Sequence, residues 1–159
     1  MVEVVSEIGI NWDGDFELLR DMINKSKDAG CDAIKLQAFE RATCNNHPET
    51  DRLLSSSVTK NNIEKIDELA KNTGIEWFCT PMYSAAVEFL EPFLERFKIR
   101  EIDAREFVKG NTTELVDLIL ETKKPIIASA ENIPIKHTDI SNLKWLYCIP
   151  KYPCEYAEI

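Results

Sequence analysis

Along the whole chain, short runs of apolar and β-branched residues alternate with segments whose apolar positions recur every three to four residues. That is the pattern of strand–helix units building a parallel sheet. The apolar runs predict strands at Val2–Ile10, Ala33–Phe39, Ile75–Thr80, Phe97–Asp103, Pro125–Ser129 and Lys144–Ile149. Between the first two, Phe16, Leu19, Met22, Ile23 and Ser26 share one helical face, with Asp15 placed as N-cap and Gly30 as the C-terminal stop. A second helix, capped at Thr59, carries Ile63, Ile66, Leu69 and Ala70 and stops at Gly74. Ser84 opens a third that breaks near Pro92, and Thr112 or Thr113 starts a fourth through Leu115, Leu118 and Ile119. The one long polar connection, Glu40–Ser57, follows the second strand directly. A loop of that length there is functional or mobile, and it is a candidate lid.

Six strand-like segments suit either an open doubly wound sheet or a barrel, and the G-x-G-x-x-G phosphate fingerprint of the former is missing. The expectation is a TIM (β/α)8 barrel. A complete one takes about 250 residues, so 159 residues carry an incomplete barrel of six strands, with 1–159 as one partial domain.

Charge and cysteine usage narrow the function. Nineteen Lys plus Arg stand against 28 Asp plus Glu, a net charge of −9 without a basic run, so no nucleic acid is expected as a partner. No apolar run reaches the length of a membrane span or a signal-peptide core, so no membrane is expected either. The 5 cysteines lack C-x-x-C spacing, which fits reduced thiols and a cytoplasmic chain. Cys44-x-x-His47 is a single pair without a partner pair, and the sequence nominates no metal ligand.

Candidate chemistry comes from polar residues inside apolar runs. Glu7 interrupts Val2, Val4, Val5, Ile8 and Ile10, while Lys35 and Gln37 interrupt Ala33, Ile34, Leu36 and Phe39. Alternation along a strand puts Lys35 and Gln37 on one face and Ile34, Leu36 and Ala38 on the other. An apolar outer face packed on helices leaves the polar pair pointing inward, near the carboxyl ends of the strands, where barrel enzymes build their sites. A buried unpaired charge costs several kcal/mol, so Glu7 and Lys35 on neighbouring strands are expected to pair with each other or with a charged ligand. The fourth strand threads Lys98, Arg100, Glu101, Asp103, Arg105 and Glu106 through Phe97, Ile99 and Ile102. Lys98 and Arg100 alternate onto one face and suit an anion. Ser129 and Tyr152 add hydrogen-bond donors after later strands.

The phrases Ser6-Glu7-Ile8-Gly9-Ile10-Asn11-Trp12-Asp13-Gly14, Ala33-Ile34-Lys35-Leu36-Gln37, Cys79-Thr80-Pro81, Lys124-Pro125-Ile126-Ile127-Ala128-Ser129 and Lys151-Tyr152-Pro153 occur in an order that resembles the N-acetylneuraminate (sialic acid) synthase family. The resemblance implies a synthase that condenses phosphoenolpyruvate with an N-acetylated hexosamine to a nonulosonic acid and releases phosphate. It implies Mn2+ or another divalent metal, whose histidine ligands would lie on strands beyond this chain, as would a small antifreeze-like domain; a homodimer is implied as well. Position by position, Glu7 matches the strand-one glutamate and Lys35 the phosphoenolpyruvate-binding lysine. Gln37 and Tyr152 match sugar contacts, and Thr80 and Ser129 match phosphate or carboxylate contacts. Strand four aligns in two ways. Matching on Lys98 keeps a lysine and puts Asp103 at a glutamate position; matching on Glu106 keeps the acid but puts Glu101 at the lysine. The first is preferred, because a cation facing phosphate is harder to replace. Trp12 at a usual histidine and a fifth helix reduced to Ile135–Leu143 mark a divergent branch. The alternative function is a catalytically inactive truncated barrel that retains an anion-binding pocket.

Overall fold

In a computed structural model of the chain, residues 2–132, 140–151 and 153–158 are described. The chain divides into two units, Met1–Glu95 and Arg96–Ile159. The α/β class expected from the sequence is what the structure shows, with parallel strands alternating with helices in each unit.

In the first unit, β1 (Val5–Glu7), β2 (Ala33–Ala38) and β3 (Glu76–Pro81) pair in parallel in chain order. The register sets Glu7 opposite Lys35, and Gln37 opposite Thr80. Helix α1 (Phe16–Asp28) follows β1 and starts as anticipated, its Asp15 carboxylate accepting from the backbone N–H groups of Glu17 and Leu18. Two short helices, α2 (Arg41–Cys44) and α3 (Thr50–Ser55), precede α4 (Ile63–Thr73), which ends on Gly74 in the left-handed conformation at φ 67°. Helix α5 (Ser84–Leu90) follows β3. Ile34, Leu36 and Ala38 are fully buried on the helix-facing side of β2, together with Leu19 and Ile23 of α1 and Ile66 and Ala70 of α4. Each such Leu or Ile contributes about 1.5–3 kcal/mol by leaving water. That burial fixes which face of β2 meets the helices, because a one-residue slip would turn the apolar set away from them and Lys35 in among them.

In the second unit, β4 (Phe97–Ile99), β5 (Ile126–Ala130) and β6 (Leu143–Tyr147) are likewise parallel in chain order. They are joined through α6 (Glu101–Lys109) and α7 (Glu114–Glu121), the latter capped by the Thr113 hydroxyl on the Val116 N–H. A 3₁₀ turn spans Tyr156–Glu158. Phe97, Ile99, Ile126 and Ala128 are buried, and Phe107 of α6 stacks against Trp145 of β6 with ring centroids 5.8 Å apart.

Three expectations are corrected. The first strand is confined to Val5–Glu7, because Ile8–Gly14 turns back on itself through the Asn11 N–H to Ile8 carbonyl and Asp13 N–H to Ile10 carbonyl bonds. The fourth strand ends at Ile99, not Asp103; the charged run after it is α6, in which Arg105 pairs with Glu101 and Lys109 with Glu106 at helical spacing. Its charges are those of a helix surface, not of a barrel stave. The Glu40–Ser57 connection holds α2 and α3 and is bonded to Phe39 at the end of β2 and to Ile10 in the turn after β1, so it is built structure and not an open polar loop. Most of the reduced fifth helix lies outside the described residues.

Candidate functional site

The first unit brings four of the expected residues together at the carboxyl ends of its strands. Glu7 is the last residue of β1, and its carboxylate accepts from the Lys35 ammonium at 2.6 Å. The same ammonium lies 3.4 Å from the Thr80 hydroxyl on β3. Parallel pairing makes this geometry natural, since residues opposite one another in register share a face. The Lys35 side chain is 13% exposed and that of Glu7 54%: the amine is held among neighbours while the acid meets solvent.

Gly9 completes the cluster, and the sequence pattern alone gave it no role. Its φ is +55°, and a Cβ there would sit 3.2 Å from Glu7 Oε1 and 3.3 Å from Gln37 Oε1. Both side-chain oxygens thus close over a backbone that has to be left-handed and bare. The Gly9 N–H donates to the Lys35 carbonyl at 3.0 Å, tying the turn to β2. The recognisable signal was a glycine two residues after an acid at a strand end.

Cys79 is fully buried in β3. Burial pushes its thiol strongly up; the Lys35 charge pulls the other way and the Glu7 charge adds to the rise. Tyr83, just beyond β3, is also raised, first by burial and then by Glu40 and Cys79. Neither group is a poised nucleophile or base.

The second unit holds its own polar cluster. Lys98 of β4 is 6% exposed, and its ammonium donates to the Ser129 hydroxyl of β5 at 2.6 Å and to the Ile99 carbonyl at 2.5 Å. Arg100 and Asp103 are both present but bind each other: the guanidinium bonds both carboxylate oxygens, the Nη2–Oδ1 contact at 3.2 Å. The expectation that Lys98 and Arg100 jointly face an anion from one strand is therefore corrected, because Arg100 has left the strand and caps α6. Glu106, the acid of the rejected alignment, is exposed on α6, and its carboxyl is lowered by the Lys109 and Asn111 side chains. Ser129 also lines a groove of about 690 Å³ with Glu101, Arg105, Lys109, Glu131 and Asn132. Tyr152 lies outside the described residues.

Trp12, at the position where the sequence resemblance placed a histidine, is fully buried and packs on Phe16 at 5.3 Å between ring centroids. Among the described residues, no three His, Cys, Asp or Glu side chains cluster as a metal ion would need. No described helix is long and apolar enough to cross a membrane.

The comparisons agree with this architecture. The chain is similar to the N,N'-diacetyllegionaminic acid synthase of Legionella pneumophila, 25% identical over 181 residues that cover 98% of this chain and 51% of that protein. It is similar to a pseudaminic acid synthase of Campylobacter jejuni, 30% identical over 145 residues, covering 80% of this chain and 40% of that one. Among solved structures, the N-acetylneuraminic acid (sialic acid) synthetase of Leptospira borgpetersenii in complex with citrate has the same fold, with a TM-score of 0.83 at 22% identity over 99% of this chain and 57% of that one. The chain spans about half the length of the curated relatives it matches. The NeuB family model matches residues 22–159. The chain therefore belongs to the NeuB family, the sialic acid synthase family that its motifs resemble.

Proposed function

We propose that the chain is the six-stranded part of a (β/α)8 synthase barrel that condenses phosphoenolpyruvate with an N-acetylated hexosamine, N-acetylmannosamine or a related sugar, to a nonulosonic acid. The observation that carries the reading is the Glu7–Lys35 pair at 2.6 Å on adjacent strands, with Thr80 3.4 Å from the same ammonium. A largely enclosed ammonium with a hydroxyl beside it suits an anionic group of phosphoenolpyruvate. In a protein of net charge −9 such a local cation is what a trianionic substrate requires.

In this reading Lys35 binds and orients phosphoenolpyruvate, Thr80 donates a hydroxyl to it, and Gln37 contacts the sugar. Carbon 3 of the enol forms a bond to the open-chain aldehyde carbon as the C2=C3 π bond opens and leaves carbon 2 as the oxocarbenium carbon, and the aldehyde oxygen takes a proton from water. Water then adds to the oxocarbenium carbon, its proton passing to the Glu7 carboxylate; the bond from carbon 2 to the phosphate oxygen breaks, the hydroxyl proton leaves with inorganic phosphate, and a keto group remains at carbon 2. Lys98 and Ser129 offer a second ammonium–hydroxyl pair of the same chemistry for phosphate or carboxylate. The described residues do not fit the divalent metal implied by the resemblance, and no step here is routed through one. A cytoplasmic homodimer belongs to the same proposal.

The test is phosphate release by the full-length protein from phosphoenolpyruvate and N-acetylmannosamine, with manganese present. Sugar-dependent release that Lys35→Met abolishes is expected. Full turnover in that variant removes Lys35 from the mechanism. Binding of phosphoenolpyruvate without release, across a panel of N-acetylated hexosamines, favours the inactive anion-binding chain.

A further inference from the structure

Residues 52–58, between β2 and α4, grip the backbone on both sides of the Glu7–Lys35 cluster. On the side after β1, Arg52 donates from Nε to Asp13 Oδ1 at 2.5 Å, and Glu49 accepts from its Nη1 at 3.1 Å. The fully buried Ser56 donates its hydroxyl to the Ile10 carbonyl at 3.0 Å. Gly14 packs so closely that an added Cβ would stand 2.8 Å from the Ser55 carbonyl oxygen. At the end of β2, the Val58 N–H donates to the Gln37 carbonyl at 2.9 Å. Ser57 Oγ accepts from the Phe39 N–H at 2.7 Å and donates to the Phe39 carbonyl. The Asn62 amide holds the Ser57 carbonyl at 2.9 Å and fixes the segment to the start of α4.

Five residues within 52–58 thus fasten the turn that carries Gly9 to the strand that carries Lys35 and Gln37. Gly9 is the backbone over which the Glu7 and Gln37 oxygens close, so a shift of that turn moves both relative to the Lys35 ammonium. We propose that Arg52 and Ser56 are positioning residues for the Glu7–Lys35–Gln37 cluster, and that 52–58 is a fixed clamp and not an opening lid. The kinetic part of this inference rests on the synthase reading; the structural part does not.

The experiment uses Arg52→Met, Arg52→Lys and Ser56→Ala in the full-length protein, with two readouts. Hydrogen exchange at the Gly9 amide, which donates to Lys35, rises about tenfold in Arg52→Met and Ser56→Ala, the factor one ordinary hydrogen bond is worth. Amides of Trp77 and Phe78 in β3 stay as in wild type. In steady state, kcat falls about tenfold or more well below the melting temperature while KM for phosphoenolpyruvate changes by less than about twofold, and Arg52→Lys recovers part of the loss. Unchanged Gly9 exchange in both disrupting variants overturns the clamp whether or not the enzyme turns over. Raised exchange with unchanged kcat overturns the positioning role. Fast wild-type exchange across 41–55 that slows when phosphoenolpyruvate is added makes the segment a lid and overturns the clamp. A wild-type protein without turnover sinks the synthase reading alone, and the exchange readout still decides the clamp.

Discussion

Glu7→Gln should destabilise the chain more than Lys35→Met, although Glu7 is the more exposed partner. The ammonium is enclosed, with 13% of its side chain exposed, whereas 54% of the Glu7 side chain meets water. Removing the negative charge leaves a largely buried cation facing a neutral amide, with the Thr80 hydroxyl 3.4 Å away. Stranding one member of a fully buried pair costs about 3–5 kcal/mol. With one member half in water, screening reduces this to about 1–3 kcal/mol. Lys35→Met, in contrast, fills the same space beside Phe78 and leaves a carboxylate that water can solvate, so its cost stays below about 1 kcal/mol. Urea unfolding followed by far-ultraviolet circular dichroism resolves the difference, because 1–3 kcal/mol moves the midpoint by about 1 M at the usual slope for a domain of this size. The two variants must show the same slope as wild type for the comparison to hold. A midpoint for Lys35→Met equal to or below that of Glu7→Gln refutes the reasoning, since the ammonium would then not depend on Glu7 for its place.

Gly9→Ala should cost about 1–2 kcal/mol from the left-handed φ alone and, by pushing on the oxygens of Glu7 and Gln37, weaken phosphoenolpyruvate binding at least as much as stability; calorimetry and urea unfolding on one sample separate the two. Cys79 should stay unmodified by a thiol reagent at pH 8 until urea unfolds the chain, because burial raises its thiol. Since that group is raised in the folded state, its contribution to stability is complete below the ordinary thiol value of 9.0 and is lost as pH rises above it; labelling of native Cys79 at pH 8 contradicts the burial. Asp15→Ala should lower stability by about 1 kcal/mol through loss of the two cap bonds at the start of α1, and Asp15→Asn should restore most of it.

The parts of the fold that were legible in the sequence are those set by local periodicity and caps. Asp15, Gly74 and Thr113 stand where the pattern placed them, because a cap is decided by the residue itself and its near neighbours, whereas α4 starts later than the pattern placed it, with Asn62 and not Thr59 as its N-cap. The inward pair of Lys35 and Gln37 was legible because alternation in a buried strand leaves each side chain a single choice of face. The run from Arg100 to Glu106 was misread because Phe97, Ile99 and Ile102 alternate like a strand, while the i,i+4 pairing of Glu101 with Arg105 becomes decisive only once a helix exists to present it. The clamp at 52–58 was hidden for a different reason. Its bonds run from Arg52 to Asp13 and from Ser56 to Ile10, 39 and 46 residues apart in the chain, and no periodicity reports such a contact. Gly9 was visible as a letter in a motif, but its reason, two oxygens closing over a bare backbone, exists only in three dimensions.

The most direct test of the central claim is a calorimetric titration of phosphoenolpyruvate into wild type and Lys35→Met at matched pH and ionic strength. The account predicts saturable binding to wild type that weakens at least about tenfold in the variant, the loss of one charge-assisted contact. Equal affinity in the two proteins contradicts it, because the ammonium beside Glu7 would then take no part in holding the enol.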